Sequence, residues 1–288
     1  MNHEKNMGLT SPLINLSRKI INSIIPRKMG VAACAALLLF SFAIPRAHAD
    51  VRTKQETVKE AVLKQVSGLI EIDQTNRENM AKAISVLKAN STVLQNDIRF
   101  PLFLAQAYYL SVDPNENIDK GFPYYKKTGL YARKALDMDP TKPEGHYWHG
   151  LYLLKKAQKE GGISAYFIVK RAIRELELVR KVMPAYDHGG ASRVLALLYY
   201  IAPGWSPFGD IDKSIRLAQE AKRIDPSYPL NVLYLADAFN KKGNRGAALR
   251  EYRALLALSS AADSGKLGAM FGEKARTMIA ALENNTNQ

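Results

Sequence analysis

The sequence contains a single cysteine, Cys34, among its 288 residues. One cysteine cannot close an intramolecular disulfide, so a disulfide-stapled scaffold is excluded. The sequence also has no glycine-rich phosphate loop, no nucleophile elbow and no H-E-x-x-H motif. Two acids that lie close together, Glu175 and Glu177, would project from opposite sides of a helix and cannot flank one bond. We therefore predict a protein that is not an enzyme and uses no cofactor.

Histidine is scarce too, with five residues in the whole chain. His146 and His149 are three residues apart, a spacing that puts both side chains on one side of a helix. No acid or thiol lies at a supporting spacing in the sequence, and both histidines fall at positions expected to pack inside a helical pair. We predict no metal site.

The N-terminal region lacks a hydrophobic run long enough to span a membrane comfortably. Residues 29–44 carry no charge, but a spanning helix needs about 20 apolar residues. Basic residues precede this run, and Ala47-x-Ala49 follows it as a cleavage signature. The order predicts a signal peptide over residues 1–49 and export to the periplasm. An uncleaved anchor over the same residues, which leaves the protein membrane-associated, is the alternative; lipidation of Cys34 is disfavoured because most of the apolar run follows it.

Acidic residues are outnumbered by basic ones, 27 against 41, which gives a formal charge of +14. Cleavage after Ala49 removes six basic residues and one acid, so the mature chain carries +9. The remaining lysines and arginines are spread over predicted helical faces and do not form a single basic patch. We predict no nucleic-acid partner.

A repeat emerges where helical patterns end in proline. Ala135 to Pro140 and Ala221 to Pro226 both finish in Asp-Pro, and Val179 to Pro184 is a looser copy. Proline cannot continue a helix and restrains the residue before it, so each proline marks the end of one helical unit. Successive prolines are 44 and 42 residues apart.

The unit after Pro226 has the clearest pattern of large, small and aromatic positions. These spacings match the tetratricopeptide pattern, in which small residues let two antiparallel helices approach and large ones interlock. We predict an all-α, TPR-like solenoid of helical hairpins: an N-terminal helical segment over residues 50–97, about four helical pairs over 98–260, and a capping helix with a polar tail over 261–288. The positions of the clearest unit are Val232, Leu235, Ala236, Phe239, Gly243, Ala248, Tyr252 and Leu255.

The repeat is longer than the usual period of about 34 residues. The extra residues fall between the first and second helix of each pair, which predicts enlarged loops at Val112–Pro123, Gln158–Ser164 and Ala202–Asp210. Insertions at one place in each repeat lie along one edge of a solenoid, where repeat proteins often carry binding loops.

Several short motifs resemble the T-component (TatT-like) family of tetratricopeptide proteins associated with TRAP transporters. They are Tyr186 to Ala191, Leu195 to Tyr199, Pro203-Gly204-Trp205, Phe208-Gly209-Asp210 and Pro226 to Asn231. The resemblance implies a periplasmic protein that works with a solute-binding protein, as a trimer whose protomers each offer a ligand-lined cleft. A general envelope scaffold or assembly factor without a transport role is the alternative.

On the first helix of a tetratricopeptide pair, residues between the packing positions face the concave groove. Tyrosine gives rigid area with a polar tip and suits recognition of a protein partner or a small apolar ligand. Two aromatic residues of the Ala202–Asp210 loop are expected to form a lip over the same groove. The candidate binding residues are Tyr109, Tyr147, Arg193, Tyr200, Asp237 and Asn240 in the groove, and Trp205 and Phe208 in the lip.

Overall fold

The structure, a computed structural model, describes residues 53–71, 76–204, 206–260 and 265–284. The chain divides into two compact units, Met1–Glu60 and Ala61–Gln288. Of the first unit the structure describes residues 53–60, which are helical. The predicted signal peptide lies outside the described residues. Within the described ranges all regular structure is helical and no strand occurs, which confirms the predicted all-α class.

Twelve helices are described, and most of them occur as sequential pairs. They are α1 (residues 53–71), α2 (Arg77–Ala89), α3 (Ser91–Leu94), α4 (Arg99–Leu110), α5 (Ile118–Met138), α6 (Pro143–Glu160), α7 (Gly162–Val182), α8 (Gly190–Ile201), α9 (Ile211–Ile224), α10 (Pro229–Lys241), α11 (Arg245–Ser259) and α12 (Gly265–Asn284). Helices α4/α5, α6/α7, α8/α9 and α10/α11 form four hairpins, each in contact with the next. We call α4, α6, α8 and α10 the A helices and their partners the B helices.

Local sequence explains where the hairpins begin and end. Asp139 and Asp225 terminate α5 and α9 in extended conformation, each directly before a proline. Pro143 and Pro229 begin the next A helices, where the missing N–H costs no hydrogen bond. Asp210 caps α9 by accepting a hydrogen bond from the Lys213 amide at 2.8 Å.

The A–B connections differ from those predicted. The Ala202–Asp210 connection is present, but α5 begins at Ile118, so Pro123 lies inside the helix and not in a loop. The predicted loop at Gln158–Ser164 is wrong. Gly161 alone separates α6 from α7, because Gly161 and Gly162 adopt positive φ angles of 64° and 58° that reverse the chain at once. The extra residues of this hairpin lengthen its helices to 18 and 21 residues.

The second unit is held together by three apolar clusters that follow one another along the chain. The first joins α1, α2 and α4 through residues such as Val66, Met80 and Leu104. The central cluster runs from α4 to α10 and includes Leu176 and Leu195. The last joins α10, α11 and α12, so α12 covers the apolar side of the final hairpin. Each hairpin therefore buries its apolar residues against its neighbours, as expected for a stacked helical repeat.

Among the residues that the structure describes, no helix is both long enough and apolar enough to cross a membrane.

Close helix approach within a hairpin depends on glycine at particular positions. Gly129 of α5 lies beneath the ring of Tyr152 on α6, and a methyl group there would overlap that ring. We expect Gly129→Ala to lower the free energy of unfolding by about 1–3 kcal/mol, because overpacking outweighs the gain in helix propensity. Urea denaturation followed by circular dichroism measures this change.

A matched control is Gly246→Ala on α11, where an added methyl group would meet only the Arg250 guanidinium at 3.8 Å. This variant should keep its stability or gain up to about 1 kcal/mol. Equal stability of the two variants would contradict the packing that the structure shows between α5 and α6.

Candidate ligand-binding face

The four A helices bring most of the predicted groove residues to one side of the second unit. Tyr109 lies on α4, Tyr147 on α6, and Arg193 on α8. The pKa of the Tyr109 phenol is raised, chiefly by burial and also by the nearby Tyr125 and Tyr234 phenols and the Asp187 carboxylate. Tyr234 lies on α10, so side chains from the first and last hairpins come within electrostatic range. We call this side the inner face.

Arg193 is at the centre of the inner face but does not present its charge to a ligand. Its side chain is 5% exposed. Nη2 donates to the Asp187 carboxylate at 2.5 Å, and Nη1 donates to the Asp187 carbonyl at 2.9 Å and to Oδ1 of Asn231 at 3.2 Å. The guanidinium also lies over the Tyr228 ring, 4.7 Å from its centroid. With these donors in use, Arg193 holds α8 against α10.

The turn that Arg193 holds is conformationally demanding. Asp187, His188 and Gly189 adopt consecutive positive φ angles of 49°, 57° and 79°, although two of them are not glycine. The Asn231 amide, which is fully buried, donates to the His188 carbonyl at 2.9 Å. Left-handed residues cost about 1–2 kcal/mol each when they carry a side chain. The hydrogen bonds from Arg193 and Asn231 offset that cost.

Tyr147 belongs to the same network. Its side chain is 2% exposed, and its hydroxyl donates to the Asp187 carboxylate at 2.5 Å. Burial and the Asp187 charge raise its pKa well above the usual value for tyrosine. Tyr147 and Arg193 are thus brought together, but in a buried node that joins three A helices and not on an open groove.

We expect Arg193→Lys to lower the free energy of unfolding by about 2–4 kcal/mol, because lysine keeps the charge but loses the forked geometry that reaches three acceptors. Thermal unfolding measures the effect. The control is Arg216→Lys, at an exposed position of α9, which should leave stability within about 0.5 kcal/mol of wild type. If Arg193→Lys were as stable as that control, the buried node would have no structural role.

Tyr200 and Asp237 meet in a small pocket between α8 and α10. The pocket has an empty volume of about 200 Å³ and is also lined by Ala196, Leu197 and Tyr234. Asp237 accepts a hydrogen bond from the Tyr252 hydroxyl at 2.6 Å and pairs with Lys274 at 3.0 Å. The ammonium of Lys241 lies 4.7 Å from the Tyr200 ring centroid. The pocket therefore combines an apolar floor with charges of both signs at its rim.

The tyrosines of the inner face fall into two groups. The hydroxyls of Tyr147 and Tyr252 are hydrogen-bonded to carboxylates. In contrast, four other tyrosines, which we call the tyrosine face, have hydroxyls without a hydrogen-bond partner among the described residues. All four residues are partly buried, and burial raises the pKa of each phenol, so a ligand reaches these hydroxyls only by packing closely against the face. The tyrosine face comprises Tyr109, Tyr200, Tyr228 and Tyr234.

One predicted residue lies away from this face, one is at the end of α10, and one is not described. Phe208 packs against Tyr166 of α7, with ring centroids 5.3 Å apart, because the Ala202–Asp210 connection lies beside a B helix. Its predicted place in a lip over the groove is therefore wrong. Asn240 is partly buried at the end of α10, where its carbonyl accepts from the Gly243 amide at 2.9 Å. Trp205 lies outside the described residues.

His146 and His149 do have an acidic neighbour, which the sequence spacing did not reveal. Glu175 of α7 is hydrogen-bonded to Nδ1 of both histidines, at 3.0 Å for His149. His146 Nε2 is also 2.8 Å from the Pro140 carbonyl. No group of three His, Cys, Asp or Glu residues in the described part of the chain has an arrangement that could hold a metal ion. The three residues tie α6 to α7.

The pKa of Glu175 gives this contact a pH dependence. Burial alone would raise the pKa, but the hydrogen bonds and charges of His149 and His146 outweigh it, and the net shift is downward. A carboxyl with a lowered folded-state pKa contributes stability above its unfolded pKa, and that contribution is lost as pH falls through the folded pKa. We expect Glu175→Gln to be about 1.5–3 kcal/mol less stable than wild type at pH 6.

The difference should shrink below a pH of about 4.5, where a protonated Glu175 resembles the amide that replaces it. Chemical denaturation at a series of pH values measures it, with the exposed Asp137→Asn on α5 as control. A difference between wild type and Glu175→Gln that stays constant down to pH 3 would contradict this role.

Sequence reasoning missed three residues that define the site: Asp187, Tyr228 and Tyr234. Asp187 and Tyr228 precede helices that begin at Gly190 and Pro229, so the helical register does not place them. Tyr234 lies three residues before Asp237 on the same helix, and the A-helix spacing that selected Asp237 could have found it.

Comparisons with known proteins support the fold. No protein-family profile matches the chain. No curated protein sequence matches it either. Among solved structures, a thermophilic TPR protein of Thermus thermophilus is similar with a TM-score of 0.56 and 14% identity, covering 77% of this chain and 97% of that one. YrrB, a TPR protein with an unusual peptide-binding site, has a TM-score of 0.39 and 16% identity over 73% of this chain and 97% of its own. The Thermus likeness shows a TPR-type fold.

Proposed function

We propose that this protein is a non-enzymatic scaffold that binds an extended segment of a protein partner on its tyrosine face. The main observation in support is that four tyrosine hydroxyls have no hydrogen-bond partner among the described residues. An extended peptide offers backbone N–H and C=O groups along its length, and a tyrosine hydroxyl can both donate to and accept from them. The aromatic rings supply rigid contact area at a low entropic cost.

The shape of the site favours a peptide over a small apolar ligand. Ligand pockets typically enclose about 300–1,000 Å³, whereas the depression at Tyr200 measures about 200 Å³ including space open to solvent. The depression is shallow and open to solvent, so it can take part of one side chain of a partner between Leu197, Tyr200 and Tyr234. Lys241 beside this pocket favours an acidic group next to that side chain.

The test isolates the hydroxyl groups. Tyr200→Phe/Tyr234→Phe keeps both rings and removes the two hydroxyls, and it should weaken binding of a captured partner about 5- to 30-fold, since two hydrogen bonds contribute about 1–2 kcal/mol. Partners are captured from cell-envelope extract on immobilised wild-type protein, and affinities are then measured by isothermal titration calorimetry with the purified partner. Tyr124→Phe, an exposed tyrosine on α5, is the control. Equal affinity of the double variant and the control would refute the proposed face.

We further propose that the scaffold is exported and acts in the periplasm. Support comes from the sequence of residues 1–49 and from the resemblance to TRAP transporter T-components. In that case the captured partner is a periplasmic solute-binding protein, and the scaffold forms a trimer. Cell fractionation, the N-terminal sequence of the mature protein and its mass in solution test these three points separately. A partner of another kind, bound at the same face, would favour a general envelope scaffold without a transport role.

A further inference from the structure

The first two turns of α7 are apolar in sequence, yet none of their residues is buried in the hairpin. Residues 162–169 read Gly-Ile-Ser-Ala-Tyr-Phe-Ile-Val and contain no charged side chain. None of the eight is buried, and the buried residues of α7 begin at Ala172. Ile163 is 81% exposed and Phe167 59% exposed. We call residues 162–169 the apolar tip. A helix end that is apolar and unburied signals an interaction with something outside the chain.

A collar of basic residues follows the apolar tip on the same side of α7. Ile163, Phe167, Lys170 or Arg171, and Arg174 are spaced by three or four residues, which aligns them along one helical face. The three basic side chains are exposed. In the described part of the chain neither Arg171 nor Arg174 has a carboxylate partner. Glu160, the acid that ends α6, is paired with Lys156. The collar thus keeps its positive charge.

The order of the apolar tip and the basic collar along α7 indicates what kind of partner they fit. At 1.5 Å per residue, Ile163 and Phe167 span about 6 Å along the helix, and Arg174 lies about 10 Å beyond Phe167. Interfacial helices bury their apolar groups about 5–10 Å deep at the boundary between headgroups and acyl chains. Along α7, an apolar end followed by a cationic collar therefore matches the layers of an anionic bilayer from acyl chains to phosphates. The adjoining end of α6 is charged, but its charges are paired, Lys156 with Glu160 and Lys159 with Asp119. An acidic protein surface would not require the charges to lie behind the apolar residues.

We propose that the apolar tip and its basic collar dock on an anionic lipid surface, with Ile163 and Phe167 entering the interface and Arg171 and Arg174 contacting lipid phosphates. Phe208 packs on Tyr166 and supports the tip from the neighbouring connection. Lys170 lies over the Tyr166 ring, 5.5 Å from its centroid, so the collar and the tip are in contact. This proposal is independent of the protein-binding role of the tyrosine face.

A local probe tests the proposal in the full chain. Cys34→Ser removes the single native thiol, and Ser164→Cys then carries an environment-sensitive fluorophore at the exposed tip. Vesicles of phosphatidylcholine with phosphatidylglycerol should shift the emission of this probe to the blue and increase its intensity, and vesicles of phosphatidylcholine alone should not. The same fluorophore at Lys181→Cys, about 26 Å away along α7, should show no change. The local readout separates docking of the tip from any contribution of residues 1–49.

Variants that remove positive charge measure how much the basic collar contributes to vesicle binding. Arg171→Gln/Arg174→Gln should weaken binding to anionic vesicles about 30-fold, since each basic residue near such a surface contributes a factor of about five. Arg216→Gln/Arg223→Gln on α9 makes the same change in net charge at exposed positions elsewhere and should alter the affinity by less than about 3-fold. Ile163→Ser/Phe167→Ser should abolish the blue shift of a tip probe.

Three outcomes would overturn the proposal. They are no response at position 164 with anionic vesicles, equal responses at 164 and 181, and equal losses of affinity for the two arginine pairs. A response at 164 that grows with protein concentration in the absence of vesicles would identify a second copy of the chain as the occupant of the tip, and this also overturns docking on lipid.

Discussion

A single helical hairpin of this chain cannot bury its own apolar residues, and the rest of the structure follows from that constraint. Each A helix carries small and large apolar residues that face both its own B helix and the next hairpin. Stacking buries those residues in a continuous cluster from α4 to α10, while α1, α2 and α12 cover the two ends of the stack. Apolar burial is non-directional, however, and does not by itself fix the angle between neighbouring hairpins.

Hydrogen bonds and ion pairs, which are directional, fix the angle between neighbouring hairpins. Arg193 and Asn231 bind the strained Asp187-His188-Gly189 turn, which is the connection between the second and third hairpins. Tyr147, from the second hairpin, is bonded to the same aspartate. A buried charged network is costly unless all of its members are paired, so it specifies one arrangement of the three hairpins and penalises others. The geometry of the inner face, including the pocket between α8 and α10, depends on this node.

The repeat pattern was sufficient to predict the helical pairs and their order, because proline punctuation and the spacing of small and large residues are local signals. It was insufficient for the roles of individual side chains. Arg193 and Tyr147 were expected in an open groove, yet their partner Asp187 lies in a left-handed turn. Asp and His adopt that conformation more often than most residues but far less often than glycine, so the sequence signals it only weakly. The acid beside His146 was missed because only spacing along the sequence was considered, whereas the two helices of one hairpin place Glu175 in contact with it.

The prediction of a loop at Gln158–Ser164 failed for a reason that bears on function. Inserted residues can enlarge a connection or extend the helices on either side of it, and two glycines with positive φ permit the second solution by reversing the chain in one step. The extension places the start of α7, at Gly162, nearly three turns before its first buried residue, Ala172. Those turns are not buried, although Phe208 packs on Tyr166, because the adjacent α8 and α9 are only 12 and 14 residues long. The unequal helix lengths of successive hairpins thus create an exposed apolar end, and this same edge carries the basic residues that would be needed to hold it at a charged surface.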